Sequence, residues 1–304
     1  MAYSIFRVGL FSILLIGFCL VADAQPRSPR ITDQQLQIIK QQAVARINAD
    51  RAQYKLPPVK LDDLASRVGD AHCKENVERG VISHWSSDGR KPYMRYSWAG
   101  GRDAVAENLA QMTGETRDDP LWLSRELDRM QDGFMAEKPP MDGHRQVILT
   151  PQHTHVGIGI YWDGKRLCYA QEFLDRYVSV EALPTTARLR DILTIKGKVL
   201  SQADSLYLID LLYEPFPKPM SLDELAATYA YNLPENDEMQ LRPKAPGEYV
   251  YADGKSGEIT IINNTFQSQM VFFKNTPGIY TIVVWVISQG KQIMATMISI
   301  KVTA

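Results

Sequence analysis

The sequence predicts an α+β region followed by an all-β region. Three observations carry this reading. Apolar residues recur at helical spacing in several segments before residue 137. Two strand-like runs then flank an Asp163-Gly164 turn signal. Beyond residue 183 the pattern is strand almost throughout.

The elements follow in order. Residues 1–24 place Arg7 ahead of the apolar run Val8 to Val21 and end in Ala22-Asp23-Ala24. These are the parts of a signal peptide, with cleavage predicted after Ala24. The run is short for a membrane span. Bulky Phe18 before Cys19 argues against a lipoprotein. Residues 25–31 read as a polar leader.

The first helix starts at Thr32, with Gln35 three residues on as a capping box. Leu36, Ile39, Ala43 and Ile47 mark its inner face, and Pro57-Pro58 stops it. A second helix spans about Asp62 to Arg79 and closes at Gly80. A third is expected over Ala104–Gln111. A fourth is expected over Leu121–Glu137, with Leu123, Leu127, Met130 and Phe134 on one stripe and Pro139-Pro140 after it. Strands His155–Trp162 and Arg166–Phe173 complete a domain at 32–182, with helices covering a small antiparallel sheet.

A linker is expected at Ala182–Thr186, opening a second domain at 183–304. Its strand candidates are Asp191–Leu200, Leu206–Tyr213, Glu248–Ala252, Glu258–Asn263, Gln269–Lys274, Ile279–Ile287 and Gln292–Val302. The last two read as one long hairpin turned at Ser288-Gln289-Gly290. Met220–Tyr231 reads as one short helix. Seven strands in this length fit an immunoglobulin-like two-sheet sandwich.

Composition narrows function. Lys+Arg number 34 and Asp+Glu 35, a net charge of −1. Nucleic-acid binding needs a clustered basic excess, so that class is excluded, as is a polybasic membrane-surface protein. Cleavage would leave Cys73 and Cys168, which have no C-x-x-C spacing. One disulfide and two separate buried thiols both remain open.

All five histidines precede residue 156, so metal or acid–base chemistry belongs to the first domain. His84, Glu107, Glu137 and His144 are its candidates. Neutral imidazoles bind zinc-like ions, and carboxylates orient them or activate water. There is no H-E-x-x-H, and spacing alone does not bring the four together. Isolated, such residues are more often surface or structural groups. His153 and His155 form an H-x-H pair best read as a strand entry. His72 reads as a packed helical residue, and Trp85 and Trp98 as packing or cavity-rim aromatics.

The ordered segments Ile47-Asn48-Ala49-Asp50-Arg51, Leu56-Pro57-Pro58, Gly80 with His84, Ser87-Asp88-Gly89-Arg90 and Arg95-Tyr96 carry a resemblance. It continues in Glu107-Asn108-Leu109-Ala110, Gly143-His144-Arg145-Gln146-Val147-Ile148-Leu149, Thr154-His155-Val156-Gly157-Ile158-Gly159 and Tyr169-Ala170-Gln171-Glu172-Phe173. Over about residues 36–175 the chain resembles the CAP superfamily (cysteine-rich secretory proteins, antigen 5 and pathogenesis-related 1 proteins; the SCP domain), in its bacterial branch. The resemblance implies an α-β-α sandwich with a central cavity. It places the cavity's two histidines and two acids at His84, Glu107, Glu137 and His144, with Glu126 competing for the place of Glu137. It further implies divalent-metal binding, zinc first, and sterol or lipid binding in clefts, but no particular reaction.

The expected protein is therefore secreted or periplasmic, with no transmembrane anchor after cleavage. It is read as an extracellular binding or interaction protein with a His/Glu cavity for a divalent metal. Its partner would be an extracellular protein, a lipid or a cell-wall ligand. A metal-dependent hydrolase and a lipid- or sterol-binding protein are the alternatives, and no residue is assigned as catalytic.

Overall fold

The computed structural model describes residues 31–235, 238–247 and 249–304. The expected signal peptide, its cleavage site and Cys19 lie outside the described residues.

Helix α1 (Asp33–Gln53) starts at Thr32, whose side chain caps Gln35 N–H while the Gln35 side chain returns to the Thr32 backbone. Strand β1 (Lys60–Leu61) leads into α2 (Asp63–Arg79). Asp62 caps α2 through Ala65 N–H, and Gly80 ends it in the left-handed conformation at φ 74°. Then follow α3 (Pro92–Trp98), β2 (Ala104–Thr113), α4 (Pro120–Ala136), α5 (Gly143–Ile148), β3 (His155–Trp162) and β4 (Arg166–Asp175). The sheet order is β1-β3-β4-β2, with β1 parallel to β3 and the rest antiparallel.

Residues 104–111 are strand rather than the expected helix. The segment Ala-Val-Ala-Glu-Asn-Leu-Ala-Gln suits a helix by propensity, but it also alternates. All ten residues of β2 pair in register with β4, from Ala104↔Asp175 to Thr113↔Arg166. A complete ladder with two usable faces outweighs local helix preference.

The alternation sorts the layers. Leu109 joins Cys73, Val77, Cys168 and Ala170 on the α2 side. Ala110, Leu167, Tyr169 and Phe173 meet Ile39, Ile47, Leu123 and Phe134 on the α1/α4 side. The sheet thus lies between helical layers as an α-β-α sandwich. Cys73 and Cys168 are buried free thiols in one cluster. Burial, then Cys168, pushes the Cys73 thiol well up.

Strand β5 (Val178–Val180) already belongs to the C-terminal architecture, so the chain changes sheets between Asp175 and Val178. Then come β6 (Thr186–Arg188), β7 (Leu193–Val199), β8 (Ser205–Glu214), α6 (Leu222–Ala227), β9 (Glu238–Leu241), β10 (Thr260–Ile262), β11 (Thr265–Met270), β12 (Gly278–Ser288), β13 (Lys291–Met294) and β14 (Ile298–Thr303). One sheet runs β10-β11-β7-β5. The other runs β6-β14-β12-β8-β9, with β13 also on β12. Ile195, Val199, Phe266 and Met270 from the first share a core with Ile209, Tyr280, Ile282, Val284 and Ile300 from the second.

Several strand expectations shift. No strand forms over 249–252, and β9 pairs with β8 instead. The strand expected at Gln269–Lys274 lies earlier, as β11. The β12–β13 hairpin turns through Gln289 and Gly290, both at positive φ, as its Gln-Gly turn requires. The expected return strand breaks into β13 and β14 because Thr296 Oγ1 enters the ladder. It accepts Val284 N–H at 2.8 Å and donates to Ile282 C=O at 3.1 Å.

The two units are docked. Glu214 on β8 accepts from Lys91 Nζ at 2.8 Å and Tyr93 Oη at 2.6 Å. Trp98 Nε1 donates to Ser299 C=O at 3.0 Å, and Ser299 N–H donates to Ser97 Oγ at 2.8 Å. Among the described residues, no helix is long and apolar enough to cross a membrane.

Candidate functional site

The four candidate residues form two imidazole–carboxylate pairs. Glu107 lies in β2, opposite Glu172 of β4. Its side chain is fully buried, and its Oε1 lies 2.7 Å from His84 Nδ1. Arg95 on α3 locks this pair: Nη2 donates to Glu107 Oε2 and Nη1 to His84 C=O. Burial alone would raise the Glu107 carboxyl. The Arg95 guanidinium, His72 and the His84 hydrogen bond outweigh it and hold Glu107 well below the usual carboxylate range.

The second pair joins the end of α4 to α5. Glu137 follows the last residue of α4, and its Oε1 bonds His144 Nδ1. Its Oε2 accepts the backbone N–H groups of His144 at 3.0 Å and Arg145 at 3.4 Å. Phe134 lies 4.6 Å from the His144 ring, centroid to centroid, and Asn108 Nδ2 donates to His144 C=O at 3.0 Å. Glu126 lies back along α4, where it pairs with Arg129 rather than with either histidine. Of these two glutamates, Glu137 is the one that bonds a candidate histidine.

A carboxylate only accepts hydrogen bonds, so each ring carries its hydrogen on Nδ1 and leaves Nε2 as the lone-pair end. That is the tautomer a metal ligand needs. Glu107 is committed to His84 and Arg95, and Glu137 to His144 and two backbone groups. Among the described residues, no group of three or more His, Cys, Asp or Glu is gathered around one point to hold an ion. The donor types, two neutral imidazoles, are ones that suit a zinc-like ion. They are fewer than the three protein ligands of a catalytic zinc centre.

The other candidates fall outside these pairs. His153 stacks on Phe173 at 5.0 Å and bonds Asp175 at 2.6 Å, whereas His155 Nδ1 meets Thr154 Oγ1 at 2.9 Å. His72 is buried, with Nε2 donating to Ser83 C=O at 2.7 Å and 4.0 Å from Glu107. Burial, then Arg95, lowers its basicity. Trp85 and Trp98 serve the contact between the two units: Trp85 Nε1 donates to Ala230 C=O at 3.0 Å.

Sequence reasoning missed three neighbours of the site. Arg95 was quoted only as part of the resemblance. Glu172 sits in a strand buried almost throughout, and an acid in such a run was a usable signal. Burial, then the Glu107 charge, pushes the Glu172 carboxyl well up, favouring the neutral acid. Tyr231 comes from the C-terminal unit. Helix α6 ends at Ala227, and the extended chain beyond it brings the Tyr231 ring to 4.8 Å from His84. No local pattern marks that meeting.

Residues 44–173 match the family model CAP, described as the cysteine-rich secretory protein family. This stretch is thus similar to the CAP (SCP) domain, and it contains all four residues of the His/Glu pairs. The uncharacterized protein YkwD of Bacillus subtilis (strain 168) is 23% identical over 141 residues, covering 45% of this chain and 47% of its own length. The chain thus spans less than half of that relative. A solved extracellular protein containing an SCP domain from Bacillus anthracis strain Ames is 24% identical, with a TM-score of 0.38, covering 49% of this chain and 45% of that one. An outer surface protein from Borrelia burgdorferi is 16% identical, with a TM-score of 0.36, covering 48% of this chain and 96% of its own.

Proposed function

We propose that this is an extracytoplasmic binding protein whose CAP domain holds a divalent ion, zinc first, at His84 and His144. The observation that carries this reading is the matched pair of Nδ1–carboxylate bonds, which leaves both Nε2 atoms as ligands. The bound ion would supply an exchangeable positive centre for an anionic or carbonyl group of an extracellular protein, lipid or cell-wall partner. A hydrolytic centre is less favoured because both glutamates are already committed to their histidines. The secretory family description and the signal-peptide features of residues 1–24 support export.

Calorimetric titration of the full chain with zinc chloride tests the site. The native protein should bind one ion, and His84→Ala or His144→Ala should weaken binding by about tenfold or more, since each lost ligand exceeds about 1.4 kcal/mol. Equal affinity in either variant, or no binding by the native chain, removes the ion reading. Export is tested separately: N-terminal sequencing of the mature protein should begin at Gln25, and an intact Met1 would overturn it.

A further inference from the structure

We infer that the C-terminal unit completes the histidine site by delivering Tyr231 as a positioning residue for the His84 imidazole. The inference deepens the proposed function and rests on that reading for its ligand. Its geometry stands independently.

Strand β2 is the edge of its sheet, so its outer backbone groups need partners from elsewhere. At Glu107 one phenol supplies both. Glu107 N–H donates to Tyr231 Oη at 2.8 Å, and Tyr231 Oη donates to Glu107 C=O at 3.3 Å. A single side chain thereby does what a neighbouring strand would do. It does so at the residue whose carboxylate holds His84.

The Tyr231 ring also covers His84, tilted 51° to it. The imidazole is thus fixed at Nδ1 by Glu107 and on one face by Tyr231. Fixing two points of a ring removes its rotation about the side-chain bonds, as preorganised ligands require.

The segment bearing Tyr231 is pinned on both sides. Trp85 Nε1 donates to Ala230 C=O, and Lys91 Nζ donates to Asn232 C=O, both at 3.0 Å. Lys91 is itself held by Glu214 of β8. Three consecutive residues, 230–232, therefore each bond the CAP domain beside His84. Docking does not depend on Tyr231, because the Trp98–Ser299 and Tyr93–Glu214 contacts lie elsewhere. Tyr229, two residues earlier, points to solvent at 80% exposure. The contact is thus selective for the residue that reaches the site.

The experiment is metal-free acylation of the full chain by diethyl pyrocarbonate, with rates read at each histidine by peptide mass spectrometry. His155, remote from Tyr231, is the internal reference. Tyr231→Ala should raise the His84 rate by about tenfold while His155 stays unchanged, because His84 gains freedom without global opening. Tyr231→Phe keeps the ring over His84 but loses both bonds to Glu107, so its rate should fall between the native and Ala rates. An unchanged His84 rate in Tyr231→Ala, or a Phe variant equal to the Ala variant, overturns the inference. Should Tyr231→Ala unfold, signalled by a rise at His155, Tyr231→Leu fills the space without the aromatic ring and decides by the same criterion. Failure of zinc binding in the native chain would remove the ion reading and leave this footprint intact, so the two failures are distinguishable.

Discussion

Arg176 shows how one side chain can tie three segments. Its Nη2 donates to Asp62 and to Asp103, both at 2.7 Å, and its Nε to Asp103 at 3.0 Å. The two acids are mostly buried, so removing the guanidinium leaves carboxylates without their cation. Arg176→Ala should cost about 2 kcal/mol in urea unfolding, less than a fully buried pair because Arg176 is partly exposed. The same cluster sets a pH dependence. Burial, then Arg176, lowers the His155 imidazole, and burial, then Arg95, lowers His72. An unfolded imidazole titrates near about 6.5. Below that pH the unfolded chain binds more protons than the folded one, so stability falls as pH drops from 7 toward 5. Asp62 adds a second loss at lower pH. Burial raises it, but Ala65 N–H and Arg176 outweigh this and lower its folded value. Its stabilisation is present above about 4 and is lost as pH falls through the folded value. Unfolding midpoints against pH should show both declines, and His155→Gln should shallow the first. A flat profile between pH 7 and 5 would contradict this account.

Close packing decides the elements. Helix α2 crosses β3 where Gly69 meets Gly159 and where Gly157 meets Ala65. A Cβ on Gly159 would lie 2.3 Å from the Gly69 carbonyl carbon, and one on Gly157 2.4 Å from Ala65. These are backbone contacts, so no rotamer change relieves them. Gly159→Ala should lift α2 from the sheet and cost about 3 kcal/mol, at the upper end of ordinary overpacking. Thermal unfolding measures it, and a change within about 0.5 kcal/mol, the range of neutral surface substitutions, would show that the helix yields freely. Local signals served well for elements whose ends carry their own chemistry. The Thr32–Gln35 box, Gly80 and the turn at Asp163-Gly164 were all legible. Strand β2 was not, because its small and polar residues satisfy two periodicities and only the ladder with β4 chooses between them. Helices α3 and α5 were also missed, since seven and six residues are too short for a periodic pattern.

Across the molecule, the interface between the units gathers around Glu214. Burial, then the Glu214 charge, pushes the Tyr93 phenol up and keeps it a donor. Glu214→Ala would remove the anionic partner of the Lys91 ammonium, leaving it only Asn232 C=O, and the acceptor of the buried Tyr93 hydroxyl. It should cost about 2 kcal/mol and separate the unfolding of the two units into a broader or double transition. A single transition at the native midpoint would show that the interface does not depend on this acid. The histidine site has the same dependence on distance. His84 and Glu107 are 23 residues apart, and Glu107 and Tyr231 are 124 apart. The residue types at positions 84, 107, 137 and 144 were visible and gained meaning through the family resemblance. Their pairing followed from the edge position of β2 and the turn between α4 and α5. By itself the sequence determined helix ends, hairpin turns, near-zero charge and the restriction of histidines to one region, because each is written in adjacent residues. Tertiary structure alone decided that residues 104–113 are strand, that the chain changes sheets before residue 178, and that a tyrosine from one unit seats on a histidine of the other. Those outcomes rest on pairing and packing energies between distant segments, which no local window contains.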